Sequence, residues 1–208
     1  MKDSNFKIKM VLTTLTNDGL YIENGQVIAN TTINNNKVHC VNILYLDNDI
    51  LASYMRVYLF SIDKNSIFVA DEIDKNMGKA IHKLYNQIEQ YQDRLYGGEY
   101  MCYIQLVYVQ PEYRNMYIGT LMVKQCQAIL HKYYGFDIFA VIAEPIIGNI
   151  IIENEQILNL PKETDITEED NAILDSMCKC LRYNDYKTID NYYYKIDKTL
   201  LEDADAIF

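Results

Sequence analysis

"VQPEYRNMYIGTLMVKQ", residues 109–125, decides how this chain is read. A run rich in β-branched and aromatic residues, "EYMCYIQLVYV" (99–109), breaks at Pro111, because proline cannot donate to a strand ladder. Arg114 follows, and Gly119 sits in the first turn of an apolar-periodic segment that predicts a helix from about 116 to 134. The chain has only 8 glycines and 3 prolines, so their meeting beside an arginine asks for a reason. A strand, a turn and a helix start give one. Amides in a first helical turn lack intrahelical partners, and the helix dipole adds partial positive charge there. Together they form an anion site suited to a phosphate or diphosphate. Gly119 would let a ligand approach the backbone, and Arg114 would add a full charge with planar donors. The plain alternative is punctuation between a strand and a helix; neither G-x-x-x-x-G-K-[ST] nor G-x-G-x-x-G occurs.

Downstream, Ile118, Leu121, Met122, Cys126, Ile129 and Tyr133 predict the buried face of that helix, with Gly135 as its C-cap. "FDIFAVIAEP" (136–145) reads as a buried strand. Strand, helix and strand with short connections make a βαβ unit, whose strands lie parallel with a right-handed crossover. Residues 146–166 read as an irregular insertion with one short strand. Thr167 before Glu168, Glu169 and Asp170 starts a helix carrying Ile173, Leu174, Met177, Cys178 and Leu181. "KTIDNYYYKI" (187–196) is the last strand, before an acidic tail over 197–208.

Upstream, "FKIKMVLTTLT" (6–16), "QVIANTTI" (26–33), "KVHCVNILYL" (37–46) and "ILASYMRVYLF" (50–60) are separated by Asn17-Asp18-Gly19, Asn24-Gly25, Asn34-Asn35-Asn36 and Asp47-Asn48-Asp49. That turn chemistry predicts an antiparallel meander over 1–73. From Asp74, a plausible N-cap, Met77, Ile81, Leu84, Ile88, Tyr91 and Leu95 recur at helical spacing, predicting one helix over 74–96 that Gly97-Gly98 ends.

Half of the residues are hydrophobic, ample for a continuous core, so disorder is excluded as a class. Acidic residues outnumber basic ones, 29 to 19, which argues against nucleic acid as a partner. The charge of −10 suits a cationic substrate, although most such charge is simply solvated. No basic flank, apolar run and cleavage site adjoin at the N-terminus, and "IFAVIAEPIIGNIII" is too broken to span a bilayer. The five cysteines lack framework spacing and read as reduced thiols, so a cytoplasmic protein without membrane contact is expected. Cys178-x-Cys180 lacks a second ligand pair, so no metal is expected.

"YVQPEYRNMYIGTLM" resembles the acyl-CoA-binding signature of the GNAT superfamily of N-acetyltransferases, a strand ending V-x-P followed by [RQ]-x-x-G-x-[GA] and an apolar helix. Val109, Pro111, Arg114 and Gly119 match it; Tyr117 stands where the motif has its first glycine. "FDIFAVIAEP" resembles the next strand, and "LRYNDYKTIDNYYYKI" resembles the closing helix-loop-strand, so the resemblance spans about 98–196. It implies an α+β fold: a mixed, mostly antiparallel central sheet with a parallel βαβ acyl-CoA-binding unit flanked by helices. The β-rich N-terminal half is atypical, since the family carries two helices after its first strand. One domain is expected, with 98–196 as the acyl-CoA-binding core.

The resemblance also implies direct transfer of an acetyl group from acetyl-CoA, a cosubstrate, to a primary amine on a small molecule or peptide. A homodimer is compatible with it. Val107 would contact the acetyl oxygen and Val109 the pantetheine arm. Amides of Gln110, Arg114, Asn115, Met116, Tyr117, Ile118, Gly119 and Thr120 would hold pantetheine and pyrophosphate. The general base of many relatives is a glutamate at the position of Gln105, which cannot take a proton but can order a water that relays one. Glu144, at the end of the parallel strand, is the substitute, set against a plain reading as a solvated carboxylate. The general acid, usually a tyrosine, falls on Leu181, so Tyr183 is the candidate, set against a packing role. A non-catalytic acyl-CoA-binding or interaction module is the alternative.

Overall fold

The computed structural model describes residues 38–48, 50–146 and 167–201 with their side chains, and 6–14, 22–23, 26–27, 32–33, 36–37, 148–153 and 156–161 as strands. Among the described residues one sheet has seven strands: β1 Phe6–Thr14, β2 His39–Asp47, β3 Ile50–Ser61, β4 Tyr100–Val109, β5 Ile138–Ala143, β6 Lys187–Ile189 and β7 Tyr192–Ile196. Their order across the sheet is β1-β2-β3-β4-β5-β7-β6. Only β4 and β5 run parallel within it; every other neighbouring pair is antiparallel. This is the mixed, mostly antiparallel α+β sheet that the sequence implied.

Four helices cover the sheet: α1 Asn65–Ile73, α2 Lys75–Ile88, α3 Ile118–Tyr134 and α4 Glu168–Tyr183. On one face Met77, Ile81, Leu84 and Ile88 of α2 are fully buried against Phe60, Met101, Phe139 and Ile142. On the other, Ile118, Met122, Cys126, Ile129 and Leu130 of α3, with Leu181 of α4, pack on Met55, Val57, Cys102, Ile104 and Val141. Each such large aliphatic side chain contributes roughly 1.5–3 kcal/mol by leaving water.

The expected meander over 1–73 holds for β1, β2 and β3, but residues 65–73 are helical. Asp63 starts that helix by accepting from the Ser66 amide. Its short apolar run, "IFVA", fits strand and helix alike, and packing against α2 decides between them. The helix expected over 74–96 is α2 followed by a 3-10 turn, Glu89–Arg94. Asp74 is its N-cap, accepting from the amides of Asn76 and Met77. Gly97 and Gly98, with φ of 88° and 102°, turn the chain back into β4.

Three further expectations change. Leu121 and Tyr133 of α3 are exposed, and Val123 and Leu130 take the buried positions, so the stripe is rotated. The insertion holds two antiparallel strands, 148–153 and 156–161, instead of one. The last strand is a hairpin, β6 and β7, turned at Asp190 with a φ of 52°. The turns Asn17-Asp18-Gly19, Asn24-Gly25 and Asn34-Asn35, most of 26–33 and tail residues 202–208 lie outside the described residues.

α1 and α2 touch closely at Gly78, where a Cβ would lie 2.7 Å from the Asp71 Cα. A mid-helix glycine normally gains about 1 kcal/mol on replacement by alanine. Here we expect the opposite sign: Gly78→Ala should lose about 1–3 kcal/mol by overpacking, read as a lower urea midpoint.

Candidate functional site

Two prolines and one register shape the centre of the sheet. β5 stops at Ala143, ahead of Pro145, and β4 stops at Val109, ahead of Pro111. The last parallel pair is Ile104 with Ala143, so β4 continues from Gln105 to Val109 after its partner strand has ended. The amide of Gln110 donates to Ala52 O of β3 at 3.0 Å. Hydrogen-bonded and non-bonded pairs alternate along an antiparallel ladder. The amides of Tyr108 and Leu106 therefore also face β3, and those of Val107 and Val109 face the edge that β5 has left. Gln110, expected to offer its amide to the cofactor, has none free, because β3 holds it.

A bulge at Gln105 sets which side chains face which way. Arg56 pairs with Leu106 and Val57 with Ile104, leaving Gln105 as the extra residue. Ile104 packs on the α3 face, and so does Val107. Gln105 and Leu106 therefore both fall on the α2 face. Ala143 also packs on the α3 face, which turns the next residue, Glu144, to the α2 face as well.

Gln105 and Glu144 are each the first residue beyond the last parallel pair, Ile104 with Ala143. Each has a buried oxygen, Gln105 Oε1 and Glu144 Oε2, without a hydrogen-bond partner. Buried acceptors are nearly always satisfied, so two such oxygens without a partner among the described residues are open to a donor from water or a ligand. Glu144 is not the solvated strand-end carboxylate of the plain reading. Asn191 Nδ2 donates to its Oε1. Burial raises its pKa, the Asn191 bond lowers it, the nearby Asp74 charge raises it and Lys79 lowers it.

At the other end lies the turn from Pro111 to Gly119. Tyr113 and Arg114 close a 3-10 turn onto Gln110 O and Pro111 O. Arg114 Nε donates to Val109 O at 3.3 Å, so its guanidinium stands at the rim of the open edge. The α3 ladder begins with Leu121 N donating to Tyr117 O, and no side chain caps this helix. The amides of Asn115, Met116, Tyr117, Ile118, Gly119 and Thr120 have no acceptor among the described residues. They offer an uncapped cradle of donors, and an acyl-CoA diphosphate fits it by charge and by hydrogen-bond complementarity.

The start of α3 lies over β4: a Cβ at Gly119 would make ordinary contacts with Val109 Cγ2 at 3.4 Å and Val107 Cγ1 at 3.9 Å. Tyr117 is left-handed, with a φ of 58°, and so is Asn115 at 64°. The Tyr117 side chain is 81% exposed.

The far side of the site is less complete. Tyr183, at the end of α4, is 76% exposed and has no hydrogen-bond partner among the described residues. Leu181, the position where the resemblance put a tyrosine, is buried with Tyr186 in the core. α4 is tied to the first turn of α3 by Asn184 Nδ2 donating to Thr120 O at 3.2 Å. Asn191 is the partner of Glu144 that sequence reasoning missed; its signal was the Asp-Asn pair inside an aromatic strand, a turn dipeptide.

A family model described as the acetyltransferase (GNAT) family matches residues 35–145. The chain belongs to that family. The match spans β2, β3, α1 and α2 as well as the βαβ unit, so it reaches further upstream than the motif resemblance and stops before α4. No curated protein matches the chain in sequence. As a GNAT chain it has acyl transfer as its general chemistry. Among the described residues no helix is long and apolar enough to cross a membrane.

The left-handed φ of Tyr117 strains a residue with a Cβ by roughly 1–2 kcal/mol. Tyr117→Gly removes that strain but frees the unfolded chain, so a net gain of up to about 1 kcal/mol is expected. Chemical denaturation measures it, and an unchanged or lower midpoint would contradict the strain.

Proposed function

We propose that this GNAT chain moves an acetyl group from acetyl-CoA to a primary amine by direct transfer. The observation that carries the reading is the pair of buried, unpartnered oxygens on Gln105 and Glu144 at the point where β4 outruns β5. Acetyl-CoA, when bound, supplies the activated acyl thioester. The amides of Asn115 to Thr120 hold its diphosphate, Arg114 adds counter-charge, and the outward amide of Val109 pairs with the pantetheine arm. The Val107 amide aims at the edge where negative charge develops on the acyl oxygen, preorganised by the strand it belongs to.

Glu144 takes the proton from the amine. Its raised pKa brings its basicity nearer neutral pH, where a general base works best. Asn191 fixes the carboxylate through Oε1 and leaves Oε2 for the amine. Gln105 accepts from the same amine or from a water beside it. Tyr183, exposed at the end of α4, is the proposed donor to the departing thiolate. The acceptor is a small molecule or a peptide amine, and no metal takes part.

A non-catalytic acyl-CoA-binding module is the second reading. It is favoured by Leu181, whose burial leaves the usual acid position without a hydroxyl. Calorimetry with acetyl-CoA and a thiol-release assay over an amine panel separate the two readings: binding with turnover supports transfer, binding alone supports the module, and no binding contradicts both. For an active enzyme, kcat/KM should rise with pH through a pKa above the ordinary glutamate value. Glu144→Gln should flatten that acid limb and lower kcat by about 100-fold or more. A wild-type limb that survives in the variant assigns the base elsewhere.

A further inference from the structure

The first turn of α3 has to be held by something other than a cap. A helix start without one frays, because its leading amides have no intrahelical acceptor. No side chain among the described residues caps α3, and the residue before it, Tyr117, is left-handed. The first ladder bond is Leu121 N donating to Tyr117 O at 2.9 Å. The peptide group that gives this bond also receives one. Its oxygen, Thr120 O, accepts from Asn184 Nδ2 at 3.2 Å.

Asn184 is buried, and its own place is fixed by three elements. It is the C-cap of α4, its amide donating to Cys180 O at 3.2 Å and to Leu181 O at 3.0 Å. Asp185, left-handed at a φ of 65°, then turns the chain so that Tyr186 N reaches Leu181 O, and Tyr186 packs in the core. From β7, Lys195 Nζ donates to Asn184 O at 3.1 Å. A buried amide is costly unless its donors are met. Asn184 Nδ2 meets Thr120 O and, at 3.0 Å, Cys180 O. Cys180 O already has the backbone bond of the cap, so what the side chain adds is the bond to Thr120 O.

We propose that Asn184 is the positioning residue of the diphosphate cradle. From the anchored end of α4 it grips the peptide group between Thr120 and Leu121, and that group in turn holds Tyr117 O. The donors of Asn115 to Thr120 are thereby kept as one set. Hydrogen bonds in line polarise one another, so the Asn184 bond also strengthens the bond from Leu121 to Tyr117. The inference rests on the reading of this turn as the acyl-CoA site and adds the residue that keeps it formed without touching the cofactor.

The test uses Asn184→Ala and Asn184→Asp, the second keeping the shape of the side chain and, once ionised, donating nothing. In the protein without cofactor, hydrogen exchange at the Leu121 amide should speed up about five- to tenfold relative to that of Leu130, further along α3. Calorimetry should show acetyl-CoA bound about five- to tenfold more weakly, while S-acetylpantetheine, which lacks the diphosphate, loses less than about twofold. KM for acetyl-CoA should rise, with kcat at saturation within about twofold of the wild type. Ile129→Ala, which thins the core under the same helix, is the control: it should lower the urea midpoint and leave the ratio of the two affinities unchanged. Unaltered Leu121 exchange, or an equal loss for the two ligands, in whichever variant folds would overturn the proposal alone. No binding of acetyl-CoA by the wild type would overturn the acyl-CoA reading and the proposal with it.

Discussion

Everything at the candidate site follows from β4 outlasting β5. In a parallel pair each strand satisfies one edge of the other, and a strand that continues alone leaves its amides and carbonyls in need of partners. Here the continuing stretch is Gln105 to Val109, with Val107 and Val109 facing the vacated edge. Pro145 stops one strand from extending and Pro111 stops the other, because neither residue can donate to a ladder. The end of each strand is therefore set by covalent structure.

The two ends of this opening do different chemical work. Where α3 starts, the donors are backbone amides with no cap, and Arg114 bonds the last carbonyl of β4. Donors and positive charge dominate there. Where the strands first part, the unmet groups are acceptors, Gln105 Oε1 and Glu144 Oε2. The two ends therefore differ in polarity, as the proposed transfer from an anionic donor substrate to an amine would require.

The bulge at Gln105 connects the two ends. Without it, strict alternation would carry Leu106 and Tyr108 to the α3 face and turn Val107 and Val109 away from Gly119. With it, the valines point towards Gly119, where an added Cβ would lie 3.4 and 3.9 Å from them, and Gln105 falls on the α2 face. Tyr117 shows how firmly this turn is determined. The chain accepts a left-handed tyrosine rather than changing the path of the loop. The strain is held by the packing of Ile118 and Met122 just beyond it, both buried.

Local chemistry was readable in advance wherever it is set by covalent structure. Pro111, Gly135, Asp74 and Thr167 each do in the fold what their side chains dictate: end a strand, cap a helix C-terminus, or accept amides at an N-terminus. The apolar stripe of α2 and the apolar runs of β4 and β5 likewise needed only the sequence. Tertiary structure alone decided the rest. A bulge does not interrupt hydrophobic alternation clearly enough to be seen in "YIQLVYV". The partner strand, β3, claimed the Gln110 amide. The register of Ile104 with Ala143 put Gln105 and Glu144 both just past the last parallel pair, though they lie far apart in the chain, and the β6–β7 turn brought Asn191 to Glu144. Such pairings arise from strand register and helix packing, which sum over many distant contacts and leave no mark at any single residue.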